Sequence, residues 1–308
     1  MNKLKQPQII MMLLAILLLA ITFAYPKISL QQATYRYVYV FDISQSMNVM
    51  DARKEEPFIS RLNFAKQAAI ESLSKLPCGT ELGIALFTGH RALLLTTPVE
   101  TCKNQYDLSN TINMIEWRST WESRSEIAKG VYKSIRLMKR VDENTRLVFF
   151  TDGHEAPPVN PNLLPVFQGK KGKIKGIIIG VGGDKRVKIP KFDRTGKQLG
   201  YWDAGEVVHI DIYTQEKNKR DGVKPLRGTE HLSSLRESYL IDLADKTGLM
   251  YHRLVTLGSF SEQLKTKSLS NPKIIQTDIR WVLALLSLLL FITLYLIEPI
   301  RKRFNKHV

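Results

Sequence analysis

The chain has 308 residues, of which 45 are basic and 29 acidic, so its formal net charge is +16. Its two cysteines show neither a C-x-x-C motif nor a Cys/His ligand spacing, which argues against a zinc site. The basic clusters lack the interleaved aromatic residues that single-strand binders use, so the charge does not predict nucleic-acid binding.

An apolar run opens the chain. Residues 9–24 contain one polar residue and follow Lys3 and Lys5. We predict that residues 1–25 form an N-terminal transmembrane helix or signal anchor. A helix of this length reaches only about 25 Å, so a buried core helix is one alternative, and a cleavable signal peptide is another.

Residues 35–267 alternate between strands and helices, a pattern that predicts one large domain. Helices between strands favour an α/β fold with a doubly wound, mostly parallel sheet, to which one hairpin adds an antiparallel edge. The predicted elements are a strand at 37–41, a helix from Ser60 to about 76, a hairpin at 82–97, helices at 108–115 and 126–138, and strands at 146–150 and 174–181.

The two cysteines flank the predicted hairpin. Cys78 precedes its first strand and Cys102 follows its second, so both lie at the open end. We expect a disulfide, which would contribute about 3 kcal/mol by closing a loop of about 23 residues. Two buried free thiols are the alternative, which an oxidising compartment disfavours.

The composition changes at about residue 184. Lys, Asp, Gly and scattered aromatics dominate residues 184–228, and residues 207–212 alternate between apolar and polar. This predicts an inserted loop or hairpin near the sheet edge that forms a second contact surface. A helix at 232–246, a strand at 249–254 and a helix near Ser261 close the domain.

A second apolar run, residues 281–297, has no charge and is followed by a basic tail, residues 298–308. We predict a C-terminal transmembrane helix with a cytoplasmic tail. The positive-inside rule then places both ends in the cytoplasm of a bacterium and the main domain in the periplasm, attached to the inner membrane. Residues 26–278 hold 38 basic and 28 acidic residues, a net +10, which suits anionic lipid head groups or an acidic protein partner, or simply reflects solvated loops.

Polar side chains follow two of the predicted strands. Asp42, Ser44 and Ser46 come directly after the first, and Asp152 follows the strand at 146–150. Carboxyl ends of parallel strands meet at one sheet edge, where short oxygen side chains suit a hard divalent cation. The alternative for Asp42 or a serine alone is a helix N-cap. Between the strands, Ser125 opens a helical pattern and offers a third hydroxyl.

These segments resemble the metal-ion-dependent adhesion site of von Willebrand factor A domains. The resemblance implies that Asp42, Ser44, Ser46, Ser125 and Asp152 bind Mg²⁺, or Mn²⁺ or Ca²⁺ in its place. There are two departures, because Ser125 stands where the family usually has Thr, and Ala128 where Gly is usual. Three other hydroxyls compete with that of Ser125, namely Ser119, Thr120 and Ser123.

A site of this kind predicts binding rather than turnover. Neutral hydroxyls and two carboxylates leave the ion with excess positive charge and an exchangeable position, which an acidic residue of a partner fills. His154 and Glu155 are the candidate base pair nearby. Nothing in the sequence orients the histidine and no nucleophile is evident, so we interpret both as rim residues that touch the partner.

A narrower resemblance rests on residues 42–48, 151–158, 189–191 and 230–237. These look like the membrane-anchored A-domain proteins of the mxa type, which as a family are implicated in maturation of periplasmic methanol dehydrogenase. The resemblance implies an assembly factor for an apo-dehydrogenase or another quinoprotein client. Two alternatives remain: a scaffold whose tail binds a cytoplasmic AAA-type ATPase, and a metallohydrolase using His154 or Glu155.

Overall fold

The computed structural model describes residues 6–24, 26–52, 58–160, 164–193, 195–222 and 228–297, so the predicted tail, residues 298–308, lies outside the described residues. The chain divides into two compact units, one of residues 33–271 and one that combines residues 1–32 with 272–308. In chain order the elements are α1 (Gln6–Ala24), β1 (Lys27–Thr34), β2 (Arg36–Asp42), α2 (Arg61–Lys75), β3 (Glu81–Thr88), β4 (Arg91–Glu100), α3 (Gln105–Asn113), α4 (Ile127–Val141), β5 (Arg146–Thr151), β6 (Gly176–Gly180), β7 (Val187–Lys188), β8 (Pro190–Phe192), β9 (Gln198–Tyr201), α5 (Ile212–Arg220), β10 (Leu232–Ser233), α6 (Glu237–Thr247), β11 (Met250–Arg253), α7 (Leu257–Leu264), β12 (Asn271–Asp278) and α8 (Arg280–Ile292).

A six-stranded sheet organises residues 33–271, with strand order β11-β6-β5-β2-β3-β4. The first five strands of this order run parallel, and β4 pairs antiparallel with β3 at one edge. The predicted α/β fold with a mostly parallel sheet and an antiparallel hairpin edge is therefore confirmed. Strand β2 lies in the middle, so its carboxyl end has neighbouring strand ends on both sides.

Helices cover both faces of the sheet and enclose two hydrophobic cores. Strand β2 shows the alternation, because Tyr37, Tyr39 and Phe41 enter one core while Val38 and Val40 enter the other. Helices α2, α3 and α7 pack on the aromatic side, and α4 and α6 pack on the opposite side. Each fully buried aromatic or branched side chain contributes roughly 1.5–3 kcal/mol through the apolar surface it removes from water.

Gly130 permits close packing of α4 on the sheet. A Cβ at this position would lie 2.1 Å from Cε2 of Phe87, which is itself buried. We expect Gly130→Ala to lower the free energy of unfolding by about 1–3 kcal/mol through overpacking, although alanine is the better helix former. Denaturant unfolding of the purified chain measures this change.

Gly258 in α7 is the matched control, since a Cβ there would meet no heavy atom within 4 Å. Gly258→Ala should be neutral or stabilise by up to about 1 kcal/mol. Equal effects of the two substitutions would contradict the packing role of Gly130.

The predicted hairpin is present as β3 and β4, joined at a turn where Gly89 has φ +63°. At its open end the structure joins Cys78 and Cys102 by a disulfide. Helix α3 begins at Gln105, shortly after Cys102. The disulfide therefore joins the loop before β3 to the loop from which α3 starts.

The segment at 184–228 differs in detail from its prediction. The hairpin there is β8 with β9, and the short β7 pairs with β10 beyond the segment. The alternating residues 207–212 do not form a strand. Asp211 instead caps α5, since its side chain accepts a hydrogen bond from the Thr214 backbone amide, and this local bond favours a helix over strand pairing.

The unit formed by the two ends contains α1, α8 and a two-stranded sheet of β1 with β12. The Ser287 hydroxyl of α8 donates to the carbonyl oxygen of Ala15 in α1, with 3.0 Å between the two oxygens. Within the described residues, no helix combines the length and apolar character that a membrane crossing requires.

Candidate metal centre

The carboxyl ends of β2 and β5 lie side by side, as Phe41 pairs with Phe150 in the parallel register. Asp42 is the last residue of β2, and Asp152 follows Thr151, the last residue of β5. Both carboxylates are fully buried. The sheet therefore brings together at one edge the two acids that the sequence places 110 residues apart.

Asp42 accepts hydrogen bonds on both oxygens. Its Oδ1 accepts from the Ser44 backbone amide at 2.9 Å, and its Oδ2 accepts from the Thr151 hydroxyl at 2.7 Å. Burial and then the negative charge of Asp152 raise the pKa of Asp42 to about 7. The Ser44 and Ser46 hydroxyls lie 3.2 Å apart, so the loop after β2 supplies two further oxygens beside the carboxylate.

Asp152 carries more donors. Its Oδ1 accepts from the His154 backbone amide at 3.0 Å, its Oδ2 accepts from the Ser233 hydroxyl at 2.9 Å, and the Ser46 hydroxyl also bonds to it. Burial acts to raise the pKa of Asp152, but the guanidinium of Arg61 and the other donors hold that pKa below its ordinary value. Ser46 thus links the loop after β2 directly to the second carboxylate.

Arg61 is fully buried beside this pair, at the first position of α2. Its Nη1 contacts Asp152 and donates to the Ser233 hydroxyl at 2.7 Å, while Nε and Nη2 bind the two oxygens of Asp51 at 2.7 Å each. Asp51 in turn accepts from the Gly183 backbone amide at 3.1 Å. One guanidinium therefore connects the loop after β2, the end of β5 and strand β10, and Asp51 extends the network to Gly183, just before the 184–228 segment.

Ser125 lies at the same edge of the sheet but on a separate segment of the chain. Its backbone exchanges two hydrogen bonds with Ala156, at 2.7 and 2.8 Å, and it bridges to Gly89 on the other side. The segment that carries Ser125 thus lies between the chain that follows β3 and the chain that follows Asp152. Its hydroxyl is buried and has no hydrogen-bond partner among the described residues.

The three competing hydroxyls have other surroundings. Ser119 and Ser123 are exposed. The Thr120 hydroxyl is already bonded to the Thr88 hydroxyl at 2.6 Å and to the Glu122 carbonyl oxygen at 2.8 Å. Of the four candidate hydroxyls, that of Ser125 is therefore the one that is buried and has no hydrogen-bond partner among the described residues.

The donor set fits a hard divalent cation. It consists of the Asp42 and Asp152 carboxylates, the paired hydroxyls of Ser44 and Ser46, and the unpartnered hydroxyl of Ser125. Short oxygen side chains of this kind suit Mg²⁺, Mn²⁺ or Ca²⁺. In the part of the chain that the structure describes, one group of three acidic, histidine or cysteine side chains lies close enough to share an ion, Cys78, Glu100 and Cys102, but the disulfide removes the thiolates that a metal would need.

His154 and Glu155, predicted as rim residues, point into the domain. His154 is 3% exposed, its pKa is lowered mainly by burial, and its Nε2 lies 4.0 Å from Glu230. Glu155 accepts from the backbone amide of Ala128 and the hydroxyl of Tyr239, and burial raises its pKa. Its carboxylate therefore accepts a hydrogen bond at the amino end of α4, where a negative charge is favourable.

Sequence reasoning missed Thr151, Asp51, Arg61 and Ser233. A signal existed for Arg61, because it precedes Phe64 and Ala65 by three and four residues and so shares their buried helix face. An arginine in line with an apolar stripe needs buried acceptors. The identity of those acceptors, Asp152 and Ser233, depends on chain segments 91 and 172 residues away.

A comparison with known families finds a match in the same part of the chain. Residues 37–154 match the sequence model of the family described as von Willebrand factor type A domain. Residues 37–154 thus carry the match to a von Willebrand factor A domain. We call the compact unit of residues 33–271, which contains this match, the A domain. All five metal-site candidates fall within the matched residues, whereas Ser233 and the 184–228 segment lie beyond them.

The chain is also similar to curated proteins over most of its length. A UPF0353 protein of Mycobacterium leprae is 24% identical over 277 residues, and one of Mycobacterium tuberculosis is 28% identical over 277 residues; each match covers 79% of this chain and 78% of the relative. Among solved structures, an aerotolerance-related membrane protein from Bacteroides fragilis matches with 17% identity and a TM-score of 0.46, covering 74% of this chain and 96% of that one. A von Willebrand factor type A protein from Catenulispora acidiphila matches with 9% identity and a TM-score of 0.42, covering 76% and 41%.

Proposed function

We propose that the A domain binds a divalent cation at the edge formed by Asp42, Ser44, Ser46, Ser125 and Asp152, and uses it to bind a protein partner. The observation that carries the proposal is the meeting of two fully buried carboxylates, Asp42 and Asp152, at one sheet edge. The Ser44 and Ser46 hydroxyls lie beside them, and the buried hydroxyl of Ser125 has no hydrogen-bond partner among the described residues, so the edge offers oxygen ligands that a cation would satisfy. A bound cation would supply a Lewis-acidic position that attracts a carboxylate of the partner.

The role is binding rather than catalysis. A metallohydrolase needs a base within reach of the metal-bound water. His154 is the imidazole nearest the site by sequence, and it is buried with a lowered pKa. Glu155 is turned away from solvent, because its Oε1 accepts from the Tyr239 hydroxyl and the Ala128 backbone amide, and its Oε2 is buried without a partner among the described residues.

The proposal includes attachment to the bacterial inner membrane through the apolar residues 9–24 and 281–297, with the A domain in the periplasm. Their basic flanks support this orientation, and the disulfide suits an oxidising compartment. By its resemblance to the mxa type, the partner is a periplasmic quinoprotein apo-dehydrogenase under assembly. The chain would hold that client at the membrane while its cofactor site is completed.

A chelator-sensitive pull-down of the full chain from solubilised membranes tests this function. Partners should be retained in MgCl₂ or MnCl₂, released by EDTA, and recaptured when Mg²⁺ is restored. Mass spectrometry of the released fraction identifies the client. Retention that is equal with and without EDTA would contradict a cation-dependent contact. Deletion of residues 301–308 should leave retention intact, whereas a scaffold that acts through a cytoplasmic ATPase would need that tail.

A further inference from the structure

A groove lies on the A domain along the outer side of α4. Helix α4 forms one wall of the groove, and the segment of residues 164–169 forms the second wall. The groove has a volume of about 280 Å³ and is lined by Lys129, Lys133, Arg136 and Lys139 of α4 together with Pro165 to Gly169 of the second wall. None of the five metal-site candidates lines it, so it is a separate feature of the domain.

The four basic side chains of the groove outnumber the acids that act on them, Glu126 and Glu143. Lys129 pairs with Glu126, but Lys133, Arg136 and Lys139 form no ion pair with any acid among the described residues. Burial, followed by the positive charges of Arg91 and Lys129, lowers the pKa of Lys133, which reflects cations crowded on one surface. The nearby Asp242 is already paired with Lys246 at 2.6 Å.

The floor of the groove is apolar and held in place. The rings of Tyr132 and Phe167 lie 5.1 Å apart, and the Tyr132 hydroxyl donates to the Pro165 carbonyl oxygen at 3.3 Å. On the rim, Val166 is 79% exposed and Leu164 is 50% exposed. Two large apolar side chains therefore stand in solvent beside a row of unpaired cations.

We propose that this groove is a docking site for an acidic, partly apolar peptide segment of a protein partner. Carboxylates of the segment pair with Lys133, Arg136 and Lys139, and its apolar side chains cover Val166 and the ring floor. The groove is lined from two sides, by α4 and by residues 165–169, which suits an extended chain better than the broad face of a lipid bilayer. From Lys129 to Lys139 the row of cations extends for about 15 Å, the length of four to five extended residues.

The site extends the proposed function without depending on it. Helix α4 begins two residues after Ser125, so the row of cations leads away from the metal edge along the helix. One acidic partner can contact both. The groove contacts involve no cation ligand, however, so binding in the groove should persist in EDTA, whereas binding at the metal edge should not.

The test uses the full chain in zwitterionic detergent and a fluorescein-labelled peptide of about eight residues that alternates Glu with Leu. A peptide with Gln in place of Glu controls for charge. We expect fluorescence anisotropy to show binding of the Glu peptide in EDTA, weaker at high salt because charge pairing is screened, and no comparable binding of the Gln peptide. Lys133→Glu with Arg136→Glu should weaken binding about tenfold or more.

Lys217→Glu with Arg220→Glu is the matched control, because these residues have the same spacing on the exposed helix α5. It should change binding by less than about twofold. Thermal melting of both variants checks that they fold. Equal loss in the two variants, or equal binding of the Gln peptide, would overturn the proposal. So would absence of peptide binding while dihexanoyl phosphatidylglycerol binds the unchanged chain but not the α4 variant, which would assign the groove to lipid.

Discussion

Asp42→Asn should remove divalent-cation binding from the purified full chain and, with it, cation-dependent retention of the partner. Asp42 is one of two carboxylates in the proposed centre, and an amide is a much weaker ligand for Mg²⁺ than a carboxylate. Loss of groups that only support metal ligands typically costs 10–100-fold in affinity, so loss of a ligand should cost at least about a hundredfold.

The fold should tolerate this substitution. Asn has the shape of Asp, and its side-chain oxygen still accepts from the Ser44 backbone amide. Thr151 can accept from the new amide with the hydroxyl that now donates to Asp42. The variant also removes a buried carboxylate whose pKa is raised to about 7 by burial and by Asp152, so without a cation it should be at least as stable as the unchanged protein.

Isothermal titration with MgCl₂ and MnCl₂ measures the loss, and thermal melting with and without Mg²⁺ supports it, because a ligand that binds the folded state raises the melting temperature. Asp107→Asn, at an exposed position of α3, is the control and should bind cation like the unchanged chain. Unchanged affinity in Asp42→Asn would move the site elsewhere. Absence of cation binding in the unchanged chain would refute the proposed function altogether.

Arg61→Met should strongly destabilise the A domain in the absence of divalent cation. Arg61 is fully buried and contacts Asp152, whose side chain is also fully buried. Removing one partner of a buried ion pair leaves an uncompensated charge and typically costs 3–5 kcal/mol, so we expect a loss of about that size in the free energy of unfolding. Methionine fills most of the volume, so the cost reflects charge more than a cavity.

Divalent cation should restore part of this loss. A cation beside Asp152 supplies the positive charge that the guanidinium no longer provides, so Mg²⁺ should stabilise Arg61→Met more than it stabilises the unchanged chain. Denaturant unfolding in EDTA and in MgCl₂ compares the two. The same stabilisation by Mg²⁺ in both proteins would argue against a cation next to Asp152.

Arg253→Met is the control for loss of a positive charge. Arg253 pairs with Glu237 and Asp184, but its side chain is 28% exposed and those of its partners 36% and 71%. Solvent-exposed pairs contribute about 0–1 kcal/mol, so this variant should lose no more than that. A loss for Arg61→Met equal to that for Arg253→Met would mean that burial of the Arg61 pair has little energetic effect.

The prediction from sequence succeeded where local pattern and general topology suffice. Strand-helix alternation predicted a mostly parallel sheet with an antiparallel edge, and the two acids after strands β2 and β5 lie together because carboxyl ends of neighbouring parallel strands meet. In the segment at 184–228 the predicted hairpin is present as β8 with β9, but the alternating residues are not part of it. There residues 207–212 alternate like a strand, but Asp211 caps a helix instead.

By itself, the amino-acid sequence determined the fold class of the A domain and the positions of Asp42, Ser44, Ser46 and Asp152 at strand ends, because hydrophobic periodicity and short-range spacing encode both. Only the tertiary structure distinguished Ser125 from the other candidate hydroxyls and revealed the Arg61 guanidinium beside Asp152. Ser125 differs from Ser119, Thr120 and Ser123 because it is buried between the segments that follow β3 and β5. The partners of Arg61 come from segments far apart in the chain. Local sequence patterns do not predict such contacts, because they form only when the sheet and its helices pack together.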